Sequence, residues 1–211
     1  GPDTPETFAA MHFLALEWAR MGWAKFLKGQ ALEGIRFLNS AWNLSQSGTV
    51  ANRLARVYQK AGQVDKAKKM FALAVVAGGA DTGNSRSQLQ KLDSAHAETE
   101  ITQAKAELVQ MRAVKLAELN LKKGEAEFTL VFDGSSKPEM VEFFSGDADL
   151  ITARQTMMDA GYPVMFPDVS SAKIVRRGVL ACSASGCAVT FKTLESVTAM
   201  PGAQTVVAGK P

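Results

Sequence analysis

The sequence predicts an α+β molecule: an all-α N-terminal part of helical hairpins with a capping helix, then a small β-β-α-β-β domain. Three observations carry this. Gly29 and Gly62 stand 33 residues apart, and five pairs of residues around them stand at matching offsets: Met21 and Leu54, Gly22 and Ala55, Gly34 and Ala67, Leu38 and Phe71, and Ala41 and Ala74, with Trp18 adding bulk to the first set and Tyr58 to the second. Small residues facing large ones at such a period mark stacked helical hairpins, which bind other proteins. Near Gly124 the apolar period changes from 3.6 to 2, the change from helix to strand. Finally, Cys182 and Cys187 flank a run of small residues, Ser183-Ala184-Ser185-Gly186, that reads as a hairpin loop.

The 211 residues suffice for one or two domains with a real core. An apolar fraction of 46% and a charged fraction of 21% are ordinary for a globular protein. The net charge of +3 comes from 24 basic and 21 acidic residues spread along the chain, too diffuse for nucleic acid. The longest mainly apolar run, 70–80, contains two glycines and falls short of the roughly 20 residues a spanning helix needs. Gly1-Pro2 reads as a protease scar left by expression, so the natural chain is expected to extend upstream, and the lack of a signal peptide excludes no compartment.

Residues 3–82 hold the repeats. Thr4 is placed to cap the first helix, Pro5 suits its first turn and Glu6 its positive end. Phe8, Met11, Leu14, Trp18 and Met21 follow at helical spacing to about Lys28. Gly29 ends that helix and a second covers about 31–44. Ser45 to Gly48 is a turn. The second hairpin covers about 50–61 and 64–77, closed by Gly78-Gly79.

Residues 83–124 read as capping helices and linker. Ser85 and Gln88 have capping-box spacing for a short helix to about Leu92. Ala97, Ile101, Ala104, Leu108 and Met111 then make a one-sided stripe, which suits a helix capping the stack better than a coiled coil. From Arg112 to Leu119 helix and strand are not distinguished. Residues 125–195 form the small domain. Phe128, Leu130 and Phe132 alternate with Thr129 and Val131, so 126–132 reads as a half-buried strand returning at 139–145. Asp147 or Asp149 caps a helix to about Ala160 with Leu150, Ala153 and Met157 inward. Pro163 and Pro167 bound an extended linker before strands at 173–182 and 187–193. Residues 196–211, small and polar, read as a flexible tail.

The residues around Gly62 resemble a tetratricopeptide repeat: Leu54-Ala55 and Tyr58 of its first helix, Ala67, Phe71 and Ala74 of its second. In the first repeat Lys25 stands where an aromatic is usual, with Phe26 beside it. About three repeats are normally needed for stability. The second domain, with its hairpin, helix, Phe166-Pro167 and long final strand, resembles the C-terminal domain of TonB-type proteins. Two segments, Trp18 to Gln46 and Phe166-Pro167-Asp168 followed by Val175 to Leu180, resemble the C-terminal part of large bacterial proteins with an upstream transglutaminase-like domain and tetratricopeptide repeats. The Cys-His-Asp region of those proteins has no counterpart here, so the resemblance implies no catalytic residue.

If Ser183 to Gly186 is the hairpin loop, Cys182 and Cys187 face each other. Opposed residues in an antiparallel pair lie roughly 4.5–5.5 Å apart and a disulfide accepts roughly 4.4–6.8 Å. A disulfide is expected, implying an oxidising compartment, the periplasm or the cell exterior; two reduced, buried thiols are the alternative. His12 and His96 lie on helices of the other domain, so neither a four-ligand zinc site nor a Cys-His nucleophile assembles. No metal and no cofactor are expected.

In a tetratricopeptide-type stack the first helix of each hairpin lines a concave groove. That face carries Leu16, Ala19, Trp23 and Phe26 in the first repeat and Asn52, Arg56, Gln59 and Lys60 in the second. An apolar patch beside a basic one suits a peptide with an apolar anchor and an acidic group, and Trp, Tyr and Arg are enriched in hot spots. Packing of Trp23 and Phe26 on other helices is the alternative. Ala19 and Trp23 replace the polar residues of the carboxylate-clamp subtype, so recognition of a C-terminal carboxylate is not expected. Asp147 and Asp149 read as capping residues. Arg176 and Arg177, adjacent on a strand, point to opposite faces, one toward solvent.

The function expected is a non-catalytic protein–protein interaction scaffold of the bacterial cell envelope, using the groove, a sheet edge or both. A protein or peptide partner is expected, with no nucleic acid and no direct membrane insertion. The alternatives are the accessory C-terminal region of a transglutaminase- or protease-like enzyme and TonB-like energy coupling.

Overall fold

The computed structural model describes residues 4–116, 122–168 and 172–198. The chain is α+β, and it forms two compact units: residues 14–110, and residues 1–13 together with 111–211. The second unit is discontinuous, unlike the continuous 125–195 domain expected.

Six helices come first, α1 (Pro5–Leu27), α2 (Ala31–Ser45), α3 (Gly48–Lys60), α4 (Val64–Ala77), α5 (Thr82–Leu92) and α6 (Ala97–Met111), and they make up the helical unit except for the start of α1 and the last residue of α6. Thr4 accepts the Thr7 N–H through its side chain and so caps α1. The turns at Gly29 and Gly62 share the same two closing hydrogen bonds. Gln30 N–H reaches Lys25 O, and Gln63 N–H reaches Tyr58 O, both at 2.9 Å. Gly29 N–H bonds Phe26 O and Gly62 N–H bonds Gln59 O. Each glycine has positive φ, +83° and +78°. These are Schellman closures, which need a residue tolerant of the left-handed region. The 33-residue spacing is therefore one turn built twice.

Small residues bring the helices together. A Cβ on Gly22 would lie 2.9 Å from both Gly34 O and the Leu38 side chain, so α1 and α2 meet backbone to backbone there. Ala55, Ala67 and Ala74 are buried beside Leu54, Tyr58 and Phe71. Asn39 donates to the Tyr58 hydroxyl at 3.1 Å, joining α2 to α3. Arg86 of α5 pairs with Glu98 of α6. Ser85 does not cap α5, which starts at Thr82 with Asp81 before it; Ser85 is fully buried within the helix.

The other unit centres on an antiparallel sheet of β1 (Ala113–Leu116), β2 (Gly124–Phe132), β3 (Met140–Gly146), β4 (Ile174–Ser183) and β5 (Gly186–Phe191), in the order β1-β5-β4-β2-β3. The ambiguous segment after Arg112 is strand at 113–116, paired to β5. Phe128, Leu130 and Phe132 of β2 share a face with Phe143, Phe191 and Tyr162. A 3-10 turn (Ala148–Ala153) leading into α7 (Arg154–Asp159) buries Leu150, Ala153 and Met157 with them. The Asp147 side chain accepts the Asp149 N–H and caps this segment.

β2 is buried on both faces, not half-buried: Thr129 is 1% and Val131 4% exposed. The start of α1 explains it. Phe8, fully buried, lies 5.3 Å from the Arg177 guanidinium, and Met11 Sδ takes the Val175 N–H. The sheet thus borrows its second cover from residues distant in sequence. Residues 194–198 form α8 (Leu194–Thr198) with Leu194 and Val197 buried, so 196–198 are helical where a flexible tail is expected; the rest of that tail lies outside the described residues.

Candidate functional site

Side chains from α1, α3 and α5 enclose a concavity of about 450 Å³ lined by Trp23, Phe26, Leu27, Arg56, Gln59, Lys60 and Gln88. The repeat generates it. Trp23 and Arg56, Phe26 and Gln59, and Leu27 and Lys60 are each 33 residues apart, so the same three helix positions contribute from both hairpins. The first hairpin supplies apolar surface and the second supplies polar and cationic surface.

Trp23 and Phe26 are half-buried with ring centroids 5.2 Å apart. The Arg56 guanidinium lies 4.8 Å from the Trp23 ring and that of Arg53 5.7 Å, both within cation–π range. No carboxylate lines the concavity. Among the described residues, Arg53, Arg56 and Lys60 make no ion pair, whereas nearby Lys25 is paired with Glu33 at 2.8 Å and lies over the Phe37 ring.

The structure brings together Trp23, Phe26, Arg56, Gln59 and Lys60 of the residues expected at a groove. Leu16 is exposed on α1 but outside the lining. Asn52 is a correction. It is 3% exposed and its amide donates to Ser85 Oγ at 2.8 Å and Asn84 Oδ1 at 3.0 Å. Ala19 is likewise buried. Positions 19, 52 and 85 recur every 33 residues, and all three are buried, facing neighbouring helices instead of the open side. Leu27 was legible as the repeat partner of Lys60. Gln88 and Arg53 were not. Leu89 is the repeat equivalent of Arg56, so Gln88 enters one position out of register, and Arg53 reaches Trp23 by a side-chain path that spacing does not encode.

Neither adjacent arginine of β4 faces solvent; Arg176 is 6% and Arg177 1% exposed. Arg176 stacks on Phe191 at 4.6 Å and donates to Lys192 O. Burial, with Arg112 nearby, pushes its guanidinium down to about 10, still charged at neutral pH. Arg177 lies between Phe144 and Phe8 and pairs with Glu127, which also takes Lys192. Burial on both sheet faces, unforeseen in the half-buried reading of β2, is why neither reaches water.

The two cysteines are joined, with Cα atoms 4.1 Å apart and both side chains buried. The turn is tighter than expected: Ser183 pairs with Gly186, leaving Ala184-Ser185 between them. Among the described residues no group of three His, Cys, Asp or Glu could hold a metal ion, and no helix is long and apolar enough to cross a membrane. Comparison of the chain with protein-family models, with curated proteins and with solved structures finds no match in any of the three.

Proposed function

We propose that this chain is a non-catalytic protein–protein interaction module of a bacterial cell envelope, with tetratricopeptide-type hairpins that hold a segment of a partner protein. One observation carries the reading: equivalent positions of two hairpins converge on a single concavity that joins Trp23, Phe26 and Leu27 to cations without ion-pair partners among the described residues. Concave, mostly apolar surfaces with a few placed polar groups are how proteins hold ligands, and half-buried Trp and Arg are the commonest anchors of interfaces. The disulfide suits an oxidising compartment, which supports the envelope. A second mode is addition of a partner strand to β3, an edge strand. Arg154 Nε already occupies Val141 O on that strand at 2.6 Å, so the stretch toward Gly146 is the part left for pairing.

The test is affinity capture from the native cell envelope with the wild-type chain and with Trp23→Ala and Arg56→Ala. A partner lost in both variants, with helicity unchanged, supports the concavity. An identical partner set in all three refutes it.

A further inference from the structure

The concavity is polar in one direction only, and this identifies its ligand more narrowly. Every lining residue from α1 is apolar, and none of its lining residues is acidic. From α3 come two cations, Arg56 and Lys60, and Arg53 stands beside Trp23. Five other cations of this unit are paired with carboxylates: Arg20 with Glu17, Lys25 with Glu33, Lys68 with Asp93, Lys69 with Glu107 and Arg86 with Glu98. The cations at the concavity have no carboxylate within 4 Å among the described residues. Three like charges placed together without counter-charge repel one another, and a ligand bearing carboxylates relieves that repulsion. The Arg53 and Arg56 guanidiniums lie 5.7 and 4.8 Å from the Trp23 ring, and holding them there by stacking lowers the ordering cost of a charge-assisted bond.

We infer that the occupant is an acidic peptide segment of a partner protein, with a bulky apolar side chain against Trp23, Phe26 and Leu27 and carboxylates against Arg56 and Lys60. This rests on the proposed function. It adds the ligand's charge and the order of its two parts along the groove.

The probe is intrinsic fluorescence. Trp18 and Trp42 are 4% and 1% exposed, so Trp23 is the tryptophan that a ligand at the concavity reaches. Three Trp-free synthetic peptides are titrated into the 211-residue chain, each with one phenylalanine followed by three glutamates, three glutamines or three lysines. The glutamate peptide is expected to bind at least about tenfold more tightly than the glutamine one at low salt, with the gap shrinking as salt screens it. Arg56→Glu with Lys60→Glu is expected to reverse the preference toward the lysine peptide, while Trp23→Phe abolishes the signal and leaves calorimetric binding. Equal affinity for glutamate and glutamine peptides overturns the inference, as does an acidic peptide that does not bind, or a thymidine oligonucleotide that binds more tightly than the acidic peptide. Any of these leaves the broader reading to the envelope capture, whose Trp23 dependence does not require an acidic ligand.

Discussion

Asn52 stands at a repeat position that is alanine in α1 and serine in α5, and its amide supplies two donors to α5. Replacing it with alanine leaves Ser85 Oγ buried without this donor, and such a loss costs roughly 1–3 kcal/mol. Urea denaturation of Asn52→Ala is expected to show that drop, whereas Arg56→Ala, on the exposed side of the same helix, changes stability by less than about 0.5 kcal/mol. Asp93 gives a pH prediction. Hydrogen bonds from His96, then Lys68, hold its carboxyl below the usual value of 3.8. A carboxyl depressed on folding contributes stability above its unfolded pKa, and that contribution fades as pH falls through the lower folded value. Acid titration of Asp93→Asn, followed by circular dichroism, is therefore expected to show a shallower loss of helix below pH 3.8 than the wild type.

The two interhelical turns and the cysteine hairpin are elements whose local chemistry fixes their geometry. Gly62 has φ of +78° with open space where a Cβ would go, so Gly62→Ala tests backbone conformation alone. A cost of about 1–2 kcal/mol is expected. Gly22 is the opposite case: its helical backbone accepts alanine, but the added methyl would press on Gly34 O and Leu38. Overpacking of that kind costs about 1–3 kcal/mol, and a double-mutant cycle with Leu38→Ala is expected to show that the two costs are not additive. The Cys182–Cys187 bridge closes a very short loop, so removing it as a double serine variant should lower stability by about 2 kcal/mol or less. Its larger effect falls on the β4–β5 register, read by amide exchange at Val189 and Leu180, which face each other.

At the scale of the molecule, the sheet depends on the start of α1. Phe8 and Met11 cover Val175 and Arg177 from a position more than a hundred residues upstream. Deleting residues 1–13 is expected to wet that face, leaving Arg177 hydrated, Val131 exposed and the sheet able to bind a hydrophobic dye. Dye binding by the truncated chain, measured against full-length protein, checks this; a dry, cooperatively unfolding sheet would refute it. The same dependence means that a fragment beginning at residue 125 is not the folding unit.

Local architecture was readable from the residues, because it rests on short-range constraints. A glycine at C′ and small residues at fixed offsets dictate a closed helical turn wherever they occur, so the 33-residue spacing reported both hairpins. Alternation from Phe128 to Phe132 reported β2, and the cysteine spacing reported the hairpin. The repeat also named five of the residues that meet at the concavity. Which repeat positions face neighbouring helices and which face the open side emerges only on packing: Ala19 and Asn52 lie inward, Trp23 and Arg56 outward, a rotation about the helix axis that apolar periodicity cannot resolve when the inward residue is polar. Packing alone buried both faces of β2 and both β4 arginines, because the covering side chains come from the far end of the chain and pairing at that distance leaves no local pattern to read.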